Sequence, residues 1–242
     1  MEKFGYLKDS ENPFSLSIGD LMAALLLIFV LLLSSTLLSL QKEFEKKSNV
    51  AERYREVKEN LYEELDKEFK DDLPKWNAVL DPKELSLRFK EPDVLFELNQ
   101  TSLKPLFKKI IDDFFPRYIK VLTSPQFIST IEEIRIEGHT DSSGPTRGLD
   151  PLKDYFYNMA LSQGRTRSVL EYSLNRIENE QIKSWVQKRL TANGLSSSKL
   201  IVDPLTGIED RTASRRVEFK VRTNAEEQIQ EILKYAGKSD LK

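Results

Sequence analysis

The hydrophobic positions of the chain are unevenly distributed, and the longest apolar run lies near the N-terminus. Residues 21–40 read LMAALLLIFVLLLSSTLLSL and contain no charged side chain. A helix of this length extends about 30 Å, which matches the hydrocarbon core of a bilayer. A cleaved signal peptide is the alternative, but its apolar stretch is shorter and follows a basic segment. The pattern predicts an uncleaved membrane helix over residues 18–40, after a tail of residues 1–17.

Basic residues follow the predicted membrane helix within a short distance. They are Lys42, Lys46, Lys47, Arg53 and Arg55. By the positive-inside rule this bias favours a cytoplasmic C-terminal side, although the same segment also carries glutamates.

Asp20 stands at the start of the apolar run and fits two roles. It can cap the helix by accepting hydrogen bonds from the first backbone amides. If the helix begins nearer Ser15 or Ser17, Asp20 instead lies at the edge of the membrane, where a charge costs up to about 3 kcal/mol and usually marks an ion path. The residues alone leave both roles open.

Residues 41–75 are highly charged and show a helical pattern. Opposite charges recur four residues apart, which stabilises an exposed helix. Four apolar residues follow the spacing 4, 3, 4, namely Val50, Tyr54, Val57 and Leu61. This spacing is typical of a coiled-coil seam, so we predict a helical stalk that pairs two copies of the chain. The alternative is a solvated helix that packs one apolar stripe on its own domain.

Strand-like and helix-like patterns alternate from residue 76 onward. Strands are predicted over residues 85–89, 94–98, 134–137 and 216–221. Helices are predicted after Thr101 or Ser102, with Pro105 in the first turn, after Ser162, and over residues 182–190. These elements predict an α+β domain over residues 76–222, with helices on one face of a small mixed sheet. A polar tail, residues 223–242, follows it.

The composition excludes several kinds of chemistry. The 242 residues include 37 basic and 39 acidic ones, a balance that argues against a general nucleic-acid-binding surface. The absence of cysteine excludes disulfides, thiolate zinc sites and iron–sulfur clusters. His139 is the single histidine, which excludes a metal site with two imidazoles. We therefore predict no metal and no cofactor, and interpret His139 as a packing residue of a turn.

Three segments carry the candidate chemistry. They read IEGHTDSSG at 136–144, YNMALSQGR at 157–165 and SRRVEF at 214–219. Together they closely resemble the OmpA-like peptidoglycan-binding domain, whose pattern runs G-H-T-D-x-x-G, Y-N-x-x-L-S-x-x-R and N-R-R-V-E. The sequence departs from this pattern at Ser214, which replaces an asparagine, and in the longer stretch between the first two segments.

The resemblance implies a site for the diaminopimelate of the peptidoglycan stem peptide. In that family one aspartate and one arginine bind this residue, and they match Asp141 and Arg165. A carboxylate suits the ammonium of the ligand and a guanidinium suits its carboxylate, to which a helix starting at Ser162 would add amide donors. Each also fits an ordinary role, Asp141 in closing a turn and Arg165 on a helix surface. Further candidates for the site are Thr140, Asn158 and Arg215.

A hydrolase is the main catalytic alternative. A serine triad would rest on His139 alone, without the glycine pattern of a nucleophile elbow. Phosphate-cradling glycine loops and dinucleotide fingerprints are absent from the sequence. The sequence therefore favours a binding and energy-coupling subunit over an enzyme.

The order of aspartate, apolar helix, stalk and OmpA-like domain resembles the MotB-like stator subunits. Within this group the strings SIGDLM at 17–22 and ASRRVE at 213–218 are most similar to the ZorB subunits of Zorya anti-phage defence systems. The resemblance implies a homodimer within a pentamer of MotA/ZorA-like multi-span subunits, in which Asp20 carries H⁺ or Na⁺. It also implies a cytoplasmic N-terminus and a periplasmic domain at the inner membrane, against the charge bias.

Three alternatives stay open at this point. A flagellar stator subunit shares the architecture, but would more often carry a basic N-terminal tail. A passive OmpA-like wall tether needs no ion flux, and Asp20 would then be only a cap. A wall binder similar to the Tol-linked lipoproteins would need a lipobox cysteine, which the sequence lacks.

Overall fold

The structure, a computed structural model, describes residues 13–90, 95–97 and 99–224, except for the side chains of residues 13–17, 46–51, 53 and 54. The helices are α1 (Pro13–Phe69), α2 (Pro105–Leu122), α3 (Pro151–Leu174), α4 (Glu180–Gln187) and the short α5 (Arg211–Ser214). The strands are β1 (Ala78–Asp81), β2 (Ser86–Lys90), β3 (Ile131–His139), β4 (Leu190–Gly194) and β5 (Arg216–Thr223). The chain divides into two compact units, Met1–Ala51 and Glu52–Lys242.

The first unit consists, as far as it is described, of the N-terminal part of α1. The segment Ile18–Glu45 contains an 18-residue window with a mean hydropathy of 2.7, and no part of that window is buried. Within the described residues it is the one helix that is long and apolar enough to cross a membrane. The predicted N-terminal apolar helix is thus confirmed.

The second unit is built around a mixed sheet in the order β1-β2-β5-β3-β4. The pairs β1–β2, β2–β5 and β5–β3 are antiparallel, whereas β3 and β4 are parallel. Parallel neighbours need a crossover, and α3 with α4 supplies it. The predicted α+β fold class is confirmed.

Alternate residues of the central strands fill an aromatic core. Phe219 on β5 is fully buried, and its ring centroid lies 5.0 Å from that of Phe114 on α2 and 6.0 Å from that of Phe89 on β2. Side chains of a strand alternate between the two faces of a sheet, so Val217 and Val221 join the same layer. The opposite face of β3 and β5 carries the charged residues.

The C-terminal turns of α1 belong to this core. Leu61, Leu65 and Phe69 are spaced by four and are essentially inaccessible to solvent. Leu61 is therefore not part of a coiled-coil seam, and the alternative of an apolar stripe packed on its own domain is correct there. The side chains of Val50 and Tyr54 lie outside the described residues. The predicted division at residue 76 also differs from the structure, whose second unit begins at Glu52.

One arginine ties the end of α1 to α2. Arg117 donates hydrogen bonds to the carboxylate of Glu68 at 2.7 Å and to Asp72 at 3.0 Å. Its guanidinium also lies 4.9 Å from the ring centre of Phe69. These contacts raise the pKa of Arg117, although burial opposes the change. The guanidinium stays charged and fixes the helix end on the core.

Two local predictions are wrong. Within the described part of the stretch 94–98, Phe96 forms only an isolated bridge to Leu103, and β1 takes the outer sheet position instead. Helix α2 begins directly at Pro105 with Lys104 in the cap position and no side-chain cap. Thr101 and Ser102 thus do not cap it, because a proline can itself open a helix. Residues 225–242 of the predicted tail lie outside the described residues.

Candidate functional site

The turn after β3 holds the predicted aspartate in a fixed position. Asp141 is buried, and its Oδ1 accepts hydrogen bonds from the backbone amide of Ser143 at 3.0 Å and from its hydroxyl. Its Oδ2 accepts from Nη1 of Arg215 at 2.7 Å. The charge of Asp141 is therefore balanced by an arginine that the sequence motif places just before β5.

Asn158 connects this turn to α3. Its Nδ2 donates to the carbonyl oxygens of Asp141 at 3.2 Å and Ser143 at 2.7 Å. Both carbonyls lie in a turn that cannot satisfy them by itself. Asn158 thus sets the position of Asp141 through the backbone and makes no contact with its carboxylate.

Arg165 lies about two turns further along α3 and is also buried. Its Nε donates to the carbonyl oxygen of Gln100 at 3.0 Å, and its guanidinium lies 4.9 Å from the ring centre of Phe96. These two contacts hold the planar group, so its orientation is established before a ligand arrives. The alternative role for Arg165, that of an ordinary residue on a helix surface, is wrong because the side chain is buried.

The predicted helix start at Ser162 is also wrong. Helix α3 begins at Pro151, and the side chain of Asp150 accepts from the amide of Lys153 as its cap. Ser162 lies in the helix interior, where its hydroxyl accepts from the amide of Ser196 at 3.1 Å. A helix N-terminus therefore contributes no amide donors beside Arg165. The Asp-Pro pair in the longer stretch between the motifs was the available sequence signal.

Two glycines allow α3 to pack closely on the sheet. A Cβ at Gly138 on β3 would come within 2.7 Å of the Thr166 methyl carbon and 3.0 Å of the Ser162 carbonyl oxygen. A Cβ at Gly194 on β4 would come within 2.3 Å of the backbone nitrogen of Gln163. This close approach brings the helix residues Asn158 and Arg165 to the end of β3.

A cavity of about 310 Å³ collects every residue predicted for the wall-binding site. It is lined by Thr140, Asp141, Asn158, Arg165 and Arg215, together with Asn99, Ser143, Gly144, Pro145, Tyr157 and Leu161. The sequence patterns did not single out the second group. Tyr157 and Leu161 stand inside the quoted YNMALSQGR segment and could have been found, whereas Asn99 comes from a loop with no such signal.

A second arginine of the motif braces the sheet beside the cavity. Arg216 donates through Nε to Glu218 Oε1 at 2.5 Å and through Nη1 to the carbonyl of Ser214 at 2.9 Å. Burial alone would raise the pKa of Glu218, but Arg216 and Arg88 lower it to about 2. Burial lowers the pKa of the neighbouring His139, so its imidazole is neutral near pH 7.

Asp20 lies inside α1, roughly two turns beyond its first residue, Pro13. It is exposed and lies near the start of the candidate membrane segment Ile18–Glu45. A cap residue must precede the first helical turn. The capping role of Asp20 is therefore wrong, and the carboxylate projects from the side of an apolar helix.

Comparison with known proteins identifies the family. No protein-family model matches the chain. The Zorya protein ZorB of Escherichia coli strain Crooks is 47% identical over 226 residues, which are 93% of this chain and 94% of that protein. The chain belongs to the ZorB family. A second ZorB protein, from another Escherichia coli strain, is 25% identical over 224 residues, 88% of this chain and 82% of its own.

The match to ZorB extends over both units of the chain, and the predicted resemblance is confirmed. Among solved structures, a MotB-like protein from Desulfovibrio vulgaris is 26% identical, with a TM-score of 0.49 over 69% of this chain and 91% of that one. The first of these ZorB proteins is aligned over almost the full length of both chains.

Proposed function

We propose that this ZorB-family chain is the peptidoglycan-anchored stator subunit of an ion-driven inner-membrane motor that acts in anti-phage defence. It crosses the membrane once, with a cytoplasmic N-terminus and a periplasmic C-terminal unit. Two copies stand within a pentamer of ZorA-like multi-span subunits. Asp20 carries H⁺ or Na⁺, and the cavity at Asp141 and Arg165 binds the stem peptide of the cell wall.

The observation that carries this proposal is the position of Asp20. A carboxylate on the side of an apolar helix is costly in lipid, and it is kept where an ion or a proton must pass. Capping of the helix would explain the presence of Asp20 on structural grounds alone, but α1 begins well before this residue. A binding partner with several spans would cover the carboxylate and supply the rest of the ion path.

The wall-binding part rests on the charges of the cavity. One carboxylate, that of Asp141, and two guanidiniums, those of Arg165 and Arg215, face a single space. Diaminopimelate has a zwitterionic end, so its ammonium suits Asp141 and its carboxylate suits a guanidinium fork. A carboxylate has about four acceptor positions, and Asp141 uses three in the structure, which leaves one for the ligand.

The orientation follows from the same ligand. Peptidoglycan lies outside the inner membrane, so a chain that binds it through the C-terminal unit has its N-terminus in the cytoplasm. This reading sets aside the weak positive-charge bias after the span. A labelling experiment with a membrane-impermeant thiol reagent on single cysteine variants tests it, since the chain has no cysteine of its own. Labelling of Lys67→Cys, an exposed position beyond the span, is expected in intact spheroplasts, and labelling of Lys8→Cys would contradict the orientation.

Phage protection tests the ion-carrying role. In cells that express the full defence system, Asp20→Asn is expected to abolish protection, because an amide cannot exchange a proton. Asp20→Glu keeps a carboxylate and is expected to retain part of it. Ser35→Asn places the same amide elsewhere in the same helix and serves as the matched control. Full protection by Asp20→Asn would support a passive wall tether instead.

Retention on purified sacculi tests the wall-binding role. The full chain in detergent is expected to sediment with sacculi, and Asp141→Ala and Arg165→Ala are each expected to weaken retention by about tenfold or more. Arg215→Ala is expected to weaken it as well, because Asp141 loses its partner. Arg167→Ala, an exposed arginine on the same helix and outside the cavity, is the control. Equal retention of all variants would refute the site.

A further inference from the structure

The helical side of the C-terminal unit carries an apolar groove that the wall-binding role does not use. The groove has a volume of about 600 Å³ and lies between α2 and the segment that joins α3 to α4. Its apolar part is formed by Ile119, Ile177 and Ile182, of which the first two are buried. The described residues that line it all differ from those of the wall-binding cavity. A space of this size can hold several apolar side chains.

Helix α2 contributes one stripe of residues to the groove. The stripe consists of Asp112, Pro116, Ile119, Lys120 and Thr123. Their spacing of i, i+4, i+7, i+8 and i+11 is that of one helix face. At about 1.5 Å per residue the stripe is about 16 Å long. The groove therefore matches about three turns of a second helix packed against α2.

The sequence that follows β5 has the same spacing, with apolar residues. Ala225, Ile229, Ile232, Leu233 and Ala236 stand at i, i+4, i+7, i+8 and i+11. Glutamate, glutamine and lysine occupy most of the positions between them. This pattern is typical of an amphipathic helix of three turns. The segment lies outside the described residues, and its pattern and its length both correspond to the stripe on α2.

The fold places the start of this segment close to one end of the groove. Asn224, the last described residue, donates from its backbone to the carbonyl oxygen of Thr130 at 2.9 Å and from Nδ2 to that of Ser129 at 3.3 Å. Ser129 and Thr130 belong to the loop that leads from Thr123, at the end of α2, to β3. A helix that continues from Asn224 along the groove therefore runs antiparallel to α2.

The charges agree with this direction. Lys120 lies in the last turn of α2, is exposed, and makes no hydrogen bond or ion pair through its side chain with the residues that the structure describes. In the antiparallel arrangement the first turn of the segment lies beside it, and that turn contains Glu226 and Glu227. Glu178, on the opposite wall of the groove, also has no such partner among the described residues and suits Lys234 of the segment.

We propose that residues 225–236 form an amphipathic helix that packs in the groove between α2 and the α3–α4 segment of the same chain. Ile229, Ile232 and Leu233 pack against the isoleucines of the groove, and the glutamates of the first turn pair with Lys120. Burial of these apolar side chains offsets the conformational entropy that the segment loses on ordering. The C-terminal unit then extends beyond β5 to residue 236.

A disulfide between introduced cysteines tests the contact, because the chain has no cysteine of its own. In the full chain in detergent, Ile182→Cys is combined in turn with Ile229→Cys, Ile232→Cys and Leu233→Cys. At least one pair is expected to form a disulfide within one chain under mild oxidation, since packed side chains bring their Cβ atoms within about 4.5 Å. Ser184→Cys is the matched control, an exposed residue of α4 that does not line the groove.

The control is needed because an unattached segment forms occasional disulfides with any exposed cysteine nearby. Clearly more cross-linking to Ile182→Cys than to Ser184→Cys is therefore the expected result. Equal cross-linking at the two positions would overturn the proposal. A disulfide between two copies of the chain, seen as a dimer on a non-reducing gel, would also overturn it, because the segment would then occupy the groove of another copy.

Urea unfolding of the full chain gives an independent test. Ile232→Asp places a charge on the apolar face of the segment and is expected to lower the urea midpoint of the C-terminal unit. Gln230→Asp adds the same charge on the polar face and is expected to leave the midpoint unchanged. In a segment that does not pack on the domain, neither substitution affects unfolding. Equal midpoints for the two variants would contradict the proposal.

Discussion

Two aspartates, one in each unit of the chain, lie in opposite environments. Asp20 is exposed on an apolar helix and makes no hydrogen bond or ion pair with the residues that the structure describes. Asp141 is buried, and Arg215 and Ser143 hold its carboxylate. A fixed, charge-balanced carboxylate suits a permanent attachment, whereas one without partners can take up and release an ion. In the proposed function the same type of side chain serves anchoring in one unit and ion transport in the other.

Among substitutions that affect one unit and spare the other, Gly194→Ala is expected to cause the largest loss of stability. The new Cβ would lie 2.3 Å from the backbone nitrogen of Gln163, and a backbone atom cannot move aside at low cost. Destabilisation by more than about 3 kcal/mol is expected in urea unfolding followed by tryptophan fluorescence. Wall binding should be lost, while membrane association persists.

Gly19→Ala is the matched control in the other unit. No heavy atom lies within 4 Å of a Cβ at Gly19, which directly precedes Asp20. The substitution is expected to leave unfolding of the C-terminal unit unchanged. Equal destabilisation by both variants would mean that the two units do not differ in packing as described.

A smaller effect is expected at Asp154, which holds the loop between β3 and α3 through Thr146 and Gly148. Burial alone would raise its pKa, but hydrogen bonds from Thr146 and Gly148 lower it from its ordinary value of 3.8. A carboxyl whose pKa is lower in the folded chain than in the unfolded chain stabilises the fold at pH values above its unfolded pKa. That contribution is lost as the pH falls through the folded pKa.

Asp154→Asn is therefore expected to be less stable than the unchanged chain near pH 7. The difference should shrink as the pH falls below about 4 and through the lowered pKa of the folded state. Denaturation followed across that range checks this, with the exposed Glu171→Gln as control. A difference that stays constant with pH would show that Asp154 does not act through its charge.

The smallest effect is expected at Tyr118, in the aromatic core. Its hydroxyl is buried without a hydrogen-bond partner among the described residues. Burial raises the pKa of this phenol, so the group stays neutral. Tyr118→Phe is expected to stabilise the unit by about 1 kcal/mol in urea unfolding. Tyr172→Phe removes a hydrogen bond to Asp112 and should not stabilise the unit. A loss of stability in Tyr118→Phe would refute the account.

The sequence predicted the parts that short-range patterns control. The apolar run gave the N-terminal helix, and the order of the three motifs brought Asp141, Arg165 and Arg215 to one cavity. The starts of helices were harder to predict. Ser162 resembles a cap, whereas Asp150, directly before Pro151, is the actual one. Leu61 fits a coiled coil and a domain core equally well by spacing, and only tertiary packing decides between them.

The charged face of the sheet could not be predicted from the sequence. Glu137, His139 and Glu218 alternate with apolar residues as exposed residues of an edge would. Their burial depends on which chain segments cover that face, and a pairing between distant strands sets it. The pairing of Asp141 with Arg215 likewise joins residues far apart in sequence.

Measurement of ion flux and wall binding on the same two variants tests the central claim most directly. The chain and a ZorA-like partner are reconstituted in liposomes, and ion uptake is recorded beside retention on sacculi. Asp20→Asn is expected to lose ion flux and keep wall binding, while Asp141→Asn keeps ion flux and loses wall binding. Undiminished flux with Asp20→Asn would contradict the account.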